Sequence, residues 1–200
     1  MSADLQGLNI ALVRIGANPL SSAEDPSAAQ HLVVWTSVIR RLGASPWSFF
    51  KIKRRLVRLA AAPEPAHYKY AYELPTDRLS MPRAVYADAE LRAPCHDFEV
   101  VGNELWCDEP QLWMSYMRMP PWERMPGDFQ ELLLTAAMAE LALSVREDRP
   151  LHDRLYAKAF GTPSEKGFGG MMAACLENDA QGQVSKPIDG GANPLVDVRW

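Results

Sequence analysis

The hydrophobic pattern of the sequence changes near residue 47 and changes back near residue 120. Outside this stretch, apolar residues recur at spacings of three and four, which is typical of helices that bury one face. Inside it, aromatic and β-branched residues form short runs separated by Pro, Gly and Asn, which is typical of strands. Helices from both chain ends must therefore share one core, and the middle of the chain must form a β region.

The helical spacing predicts four helices. Their expected bounds are 4–16, 27–42, 128–145 and 149–183. We predict the last helix in two pieces, because the glycine-rich sequence GTPSEKGFGG at 161–170 interrupts it. That sequence lacks the order of glycines, lysine and hydroxyl that holds a phosphate, so we expect a hinge or surface loop.

The middle of the chain predicts six strands, and two of them are joined by Gly102-Asn103, a two-residue hairpin sequence. The expected strands are 48–56, 68–73, 83–86, 98–101, 104–107 and 112–118. The phrase LPTD at 74–77 fits a turn better than an acidic site, because proline fixes the bend and the aspartate accepts backbone hydrogen bonds.

Together these elements predict an α+β fold with three parts. A four-helix bundle is expected from residues 1–46 and 120–183, with an antiparallel β-sheet inserted at 47–119. Pro187, Gly190, Gly191 and Pro194 exclude a regular element from the remaining residues, so 184–200 is expected to be an extended C-terminal arm.

Composition narrows the possible functions. The net charge of −4 provides no global positive field for gripping nucleic acid. Three scattered cysteines favour a reducing compartment over a disulfide framework. The N-terminus has no basic region ahead of its apolar stretch, and the longest apolar run is shorter than the about 20 residues that span a bilayer. We therefore expect a soluble protein, made in a cytoplasm, with no membrane partner.

Nothing in the sequence indicates catalysis, a cofactor or a metal. Cys95, His96 and Cys107 are metal-ligating residue types, but they lack the spacing of a zinc site. The sequence contains no G-x-S-x-G or H-E-x-x-H motif that would nominate a nucleophile or a general base. The tryptophans are spread over both regions, so we expect them in cores or subunit interfaces; they include Trp35, Trp47, Trp106, Trp113 and Trp122.

Two groups of residues are candidates for contact with a partner. The only dense basic run contains Lys51, Lys53, Arg54, Arg55 and Arg58. On a strand its members alternate between faces, so Lys51, Lys53 and Arg55 could contact phosphates or an acidic partner. The alternative is a solvated edge strand whose charges prevent aggregation.

The second group lies in the arm. Apolar side chains on a non-helical tail are poorly solvated, so we expect them to bury against a partner or back on their own domain. The residues concerned are Leu195, Val196, Val198, Arg199 and Trp200.

Four stretches, taken in order, carry a family resemblance. They are ALVRIGANPLSSAEDPSA, residues 35–41 with the following SPWSFF, AYELPTDRLSMPRAV, and PGDFQELLLTAAMAELALSV with the later helix ending in ENDAQGQ. In this order the sequence resembles the tail tubular protein A family, the head-to-tail adaptors of short-tailed phages. The glycine-rich stretch 161–170 departs from that pattern.

The resemblance implies a structural virion protein at the head–tail junction, made in the host cytoplasm. Subunits of the family form a ring, generally dodecameric, between the portal protein and the tail nozzle, which is built from a tubular protein B-like partner. DNA passes through the ring without sequence-specific binding. The helices would be portal-proximal, and the arm would contact the portal or a neighbouring subunit.

Two other functions remain open from the sequence. One is a tail-associated hydrolase that acts on cell wall or capsule during entry; it requires a cleft with convergent polar residues. The other is a DNA-binding accessory protein, against which the net negative charge argues.

Overall fold

The computed structural model describes residues 3–25, 28–61, 63–64, 67–82 and 84–182. The elements are α1 (Ala3–Arg14), α2 (Ala28–Gly43), β1 (Lys51–Arg55), β2 (Val57–Arg58), β3 (Tyr70–Glu73), β4 (Ala84–Tyr86), β5 (Phe98–Val101), β6 (Glu104–Cys107), β7 (Trp113–Met117), α3 (Gly127–Arg146), α4 (Arg149–Phe160) and α5 (Gly170–Gly182). Single 3₁₀ turns occur at Ser48–Phe50, Trp122–Arg124 and Pro163–Glu165.

Helix α3 is the centre of the first hydrophobic core. Residues 132–139 are all buried, and the helix packs against α1, α2, α4 and α5. A helix that is apolar on every side must be surrounded, because no face of it is suited to water. Alanines at 136, 137, 139 and 142 let the neighbouring helices approach closely.

Helix α1 crosses this core beneath two tryptophans. The rings of Trp35 and Trp122 lie 6.3 Å apart, and a Cβ added at Gly7 would come within 2.8 Å of both. At the far end of α1, the Arg14 guanidinium forms two hydrogen bonds, of 2.8 and 2.9 Å, with the Glu131 carboxylate of α3. Gly7 thus sets how closely α1 can approach the core.

An aromatic junction connects the helices to the β region. It consists of Trp47, Phe49, Phe50 and Phe129, whose ring centroids lie 4.9 to 5.7 Å apart. The Trp47 indole N–H also donates to the Leu42 carbonyl at 2.7 Å, which fixes the end of α2. Phe50 and, from the other side of the β region, Met117 both belong to the first core.

The strands form two antiparallel sheets around a second core. One sheet has the order β1-β7-β4, and the other has the order β2-β3-β6-β5. Strands β1 and β2 are consecutive, so residues 51–58 contribute to both sheets. The second core contains residues from both sheets, namely Leu56, Tyr72, Leu74, Val85, Leu105, Cys107, Leu112, Met114 and Tyr116.

The prediction of a four-helix bundle carrying one antiparallel sheet is wrong, although an α+β fold in general is compatible with the structure. The described residues form five helices, because α4 and α5 are separate. Gly161 and Gly170 adopt φ values of 78° and 54°, which glycine accepts readily, and they turn the chain between the two helices. A Cβ at Gly170 would lie 2.5 Å from the Lys158 carbonyl, so the two helices meet too closely for a side chain there.

The single sheet is replaced by two because the strand at 51–58 changes partner. The Leu56 N–H donates to the Leu112 carbonyl, whereas the Leu59 N–H donates to the Ala71 carbonyl. In an extended strand, even and odd residues direct their backbone groups to opposite sides, so β7 and β3 flank this strand on different sides. The hydrophobic pattern of a strand does not reveal such a change.

Other predictions are confirmed element by element. The hairpin at Gly102-Asn103 joins β5 and β6 at the expected bounds, and helix α3 begins and ends within one residue of its prediction. The strand expected at 48–56 starts only at Lys51, because 48–50 form a 3₁₀ turn. The arm expected at 184–200 lies outside the described residues.

The tight space at Gly7 gives a test of this core. We expect Gly7→Ala to destabilise the protein by about 1–3 kcal/mol through overpacking, even though alanine favours helix. Gly127→Ala is the matched control, because a Cβ there meets nothing within 4 Å, and its effect should stay within about 0.5 kcal/mol. Urea unfolding measures both. Equal midpoints for the two variants would contradict the packing of α1 against Trp35 and Trp122.

Candidate functional site

The basic run forms a cationic face on β1. Lys51, Lys53 and Arg55 are exposed and share one face, because Ile52 between them packs against the second core. The residues opposite them on β7 are Met117, Ser115 and Trp113. Arg54, on the opposite face, is exposed as well, and β1 is the end strand of its sheet.

Aromatic rings lie next to two of the cations in the basic run. The Arg55 guanidinium lies 5.7 Å from the centroid of the Trp113 ring, and that of Arg58 lies 4.7 Å from the centroid of Tyr70. Among the described residues, none of the five cations between 51 and 58 forms an ion pair. Their charge is therefore available to an anionic partner.

A cleft of about 230 Å³ lies beside this strand, between residues 54–57 and 73–77. Asp77 of the LPTD phrase lies on its wall, where its carboxylate accepts a hydrogen bond from the Tyr116 hydroxyl at 3.1 Å and pairs with Arg118 at 3.2 Å. Burial, followed by the charge of Asp77, raises the pKa of Tyr116. Asp77 thus ties its turn to Tyr116 and Arg118 through side chains, whereas the sequence predicted hydrogen bonds from the backbone.

A second groove, of about 260 Å³, lies where α5 meets the aromatic junction. Asp179 accepts a hydrogen bond from the Ser48 backbone N–H at 2.9 Å and another from its hydroxyl, which joins α5 to the 3₁₀ turn. Gly182, the last described residue, also lines this groove. The predicted contact residues Leu195, Val196, Val198, Arg199 and Trp200 themselves lie outside the described residues.

The outer surface of α2 is a third candidate for contact with a partner. Its open cleft of about 510 Å³ is lined by Leu32, Val33, Thr36, Ser37 and Arg40. Val33 is 70% exposed, which is unusual for an apolar side chain on a helix that otherwise buries Trp35 and Val38.

The cysteines and histidines do not assemble a metal site in the described part of the chain, where no three potential ligands come together. Cys107 is buried in the second core, and Cys95 packs against it. Burial raises the pKa of the Cys107 thiol to about 11. The helices within the described ranges include none with the length and apolar character needed to cross a membrane.

The tryptophans occupy the positions expected of large aromatics. Trp35, Trp47 and Trp122 belong to the first core, while Trp113 is half-buried beneath Arg55. Sequence reasoning missed the pairing of Trp113 with Arg55 and the capping of the Ser48 turn by Asp179. Both depend on strand register or on a contact between distant segments, which no local pattern encodes.

Comparison with known proteins adds no assignment, since no family model and no curated protein sequence matches this chain. The geometry defines an α+β protein with two hydrophobic cores, a cationic strand and exposed apolar surfaces.

The buried thiols predict a loss of stability at alkaline pH. Burial raises the pKa of Cys107 and of Cys175 to about 11 from an ordinary value of 9.0. The folded state therefore holds these protons more tightly than the unfolded state, so stability is full below about pH 9 and falls as the pH approaches 11. We expect a loss of up to about 2 kcal/mol per thiol in urea unfolding.

The variant Cys107→Ala/Cys175→Ala provides the control. Its stability at neutral pH will be lower because of the cavities. The decline between neutral and alkaline pH should nevertheless be smaller than that of the parent protein. An unchanged decline would show that other groups cause it.

Proposed function

We propose that this protein is a structural head-to-tail adaptor of a phage virion, which forms a ring, generally dodecameric in the family it resembles, between the portal and the tail nozzle. The observation that carries the proposal is the presence of two modules with separate cores, joined by one aromatic junction. Such a chain offers two differently built ends for two different partners. The ordered resemblance of its sequence stretches to the adaptor family supports the same function.

In this proposal the protein acts by burying surface against its partners and does not catalyse a reaction. Both modules expose large apolar side chains, with Val33 at 70% and Phe168 at 63% on the helical module and Val57 at 59% on the β module. Removing such side chains from water drives association. Head-to-tail contacts between identical subunits close into a ring when the rotation between them allows it.

In this proposal the helical module faces the portal and the β module faces the nozzle. DNA passes through the lumen without sequence-specific binding. The C-terminal arm contacts the portal or a neighbouring subunit through Leu195, Val196, Val198, Arg199 and Trp200. Gly182, the last described residue before the arm, lines the groove beside Asp179.

Electron microscopy of the protein mixed with the portal of its phage tests the proposal. We expect a portal capped by a ring with a central hole, because the exposed surfaces of both modules become buried there. Deletion of residues 184–200 should weaken portal binding by at least about tenfold, the equivalent of 1.4 kcal/mol. The matched control is Ser185→Ala, which changes the arm without removing an apolar side chain.

The outcomes separate the parts of the proposal. A truncated protein that caps the portal normally would remove the arm from the interface and leave the adaptor function in place. A full-length protein that ignores the portal would refute the adaptor function. Hydrolysis of peptidoglycan or capsular polysaccharide by the purified protein would then favour the tail-associated hydrolase.

A further inference from the structure

The strand registers divide the exposed charges of the β module between two faces. In each sheet, one face packs on the second core. The opposite face, here called the outward face, carries the exposed charges and also includes buried residues. The outward face of the β1-β7-β4 sheet carries cations and aromatic rings and no carboxylate. Its members, row by row, are Lys51 and Met117, then Lys53, Ser115 and Ala84, then Arg55, Trp113 and Tyr86. Ser115 and Met117 are buried, Met117 in the first core, so the accessible part of this face consists of the three cations with the half-buried Ala84, Trp113 and Tyr86.

The outward face of the other sheet carries carboxylates and apolar side chains and no cation. One row of it consists of Val57, Glu73, Glu104 and Val101, and the next consists of Ala71, Trp106 and Glu99. Ala71 and Trp106 are buried, so the accessible part of this face consists of the three carboxylates and the two valines. The assignment of this face is fixed by the alternate residues Tyr72, Leu105 and Val100, which lie in or against the second core.

The arrangement of these carboxylates lowers the stability of the isolated chain. Glu73 and Glu104 are directly opposite each other on neighbouring strands, a position in which like charges destabilise a sheet. Within the described residues, neither they nor Glu99 forms an ion pair. The Glu104 carboxylate accepts a hydrogen bond from the Trp106 indole N–H at 2.8 Å, but no ion pair in the described part of the chain neutralises the charge of either glutamate. This face therefore has the character of a binding surface for a positively charged partner.

The cationic face supplies the matching partner. Lys51, Lys53 and Arg55 are exposed, and none of them is neutralised within the described chain. The carboxylate face adds two exposed valines, with Val57 at 59% and Val101 at 39%, which can pack against aromatic rings such as the half-buried Trp113 and Tyr86. The two faces thus complement each other in charge and in apolar content.

One molecule cannot bring its whole cationic face onto its own carboxylate face, although Arg55 and Glu73 line the same cleft. Strand β5 is three positions from the 51–58 strand, about 14 Å at the usual strand spacing. The two sheets also enclose a common core, so their outward faces point away from it.

We propose that the cationic face, Lys51, Lys53 and Arg55 with Trp113, binds the carboxylate face, Glu73, Glu99 and Glu104 with Val101, of a second copy of this chain. The contact joins different surfaces of identical subunits, so it is head-to-tail and can propagate around a ring. It rests on the proposed ring function, for which it supplies a subunit contact. Complementary potentials also set the order in which subunits meet and exclude wrong pairings.

Zero-length carbodiimide crosslinking of the full-length protein tests the contact directly. Equal amounts of protein with natural and heavy nitrogen are mixed, with and without the portal, and crosslinked peptides are identified by mass spectrometry. We expect Lys51 or Lys53 joined to Glu73, Glu99 or Glu104 in peptides that combine both isotopes. Mixed-isotope peptides can arise only between chains. Their absence in both samples would overturn the proposal.

Charge reversal provides a second test that does not depend on crosslinking chemistry. We expect Lys51→Glu/Lys53→Glu and Glu73→Lys/Glu99→Lys each to weaken self-association by at least about tenfold, because like charges then meet. These four side chains are exposed, so folding should be preserved, as circular dichroism can verify. The equimolar mixture of the two variants, and a chain carrying all four changes, should both recover association in sedimentation velocity or on the portal.

The recovery distinguishes this contact from other uses of the same residues. If the basic face served nucleic acid, the Lys51→Glu/Lys53→Glu variant would lose binding to a DNA duplex and the four-change chain would not recover self-association, which would overturn the proposal. A ring on the portal that survives every reversal would refute this contact and leave the adaptor function standing. Recovered association without portal docking would support the contact and refute the adaptor.

Discussion

The middle of α3, residues 132–139, is covered by other helices, and this burial determines how the remainder of the chain is arranged. Residues 132–139 have no face suited to water, so both chain ends must supply helices to cover them. Helices α1 and α2 come from before the β region, and α4 and α5 come from after it. The β region is consequently held at both of its ends by the helical core, through Phe50 and Met117. The two-module organisation follows from one helix that cannot be exposed.

Local sequence was sufficient to predict the elements and insufficient to predict their grouping. The periodicity of α3 and the Gly102-Asn103 hairpin are local properties, and both are confirmed. The interruption of the last helix at 161–170 is also local and was predicted from its glycines. The close approach of Gly170 to the Lys158 carbonyl, which makes α4 and α5 separate helices, is a contact between turns that the sequence does not reveal. The change of partner at Leu56 depends on distant strands. Fold class could therefore be predicted only at the level of α+β.

The candidate surfaces also differ in whether local sequence predicts them. The basic run was visible as a cluster of residue types, and its alternation on a strand follows from the two-residue period. The carboxylates at 73, 99 and 104 are separated along the chain and resemble ordinary surface residues. They become one surface only when the registers of three strands align them. A charge pattern of this kind is formed by the pairing of strands, so it cannot be recognised in a short stretch of sequence.

The antiparallel pairing of β1 with β7 has a mechanical consequence. Strand β1 leaves the first core at Phe50, and β7 returns to it at Met117, so the two strands enter the core side by side. Tension that pulls the β module away from the helices runs along both strands in the same direction. The load is then shared by two covalent backbones, and it does not slide one strand past the other. The joint between the modules resists extension more strongly than hydrogen bonds alone would allow.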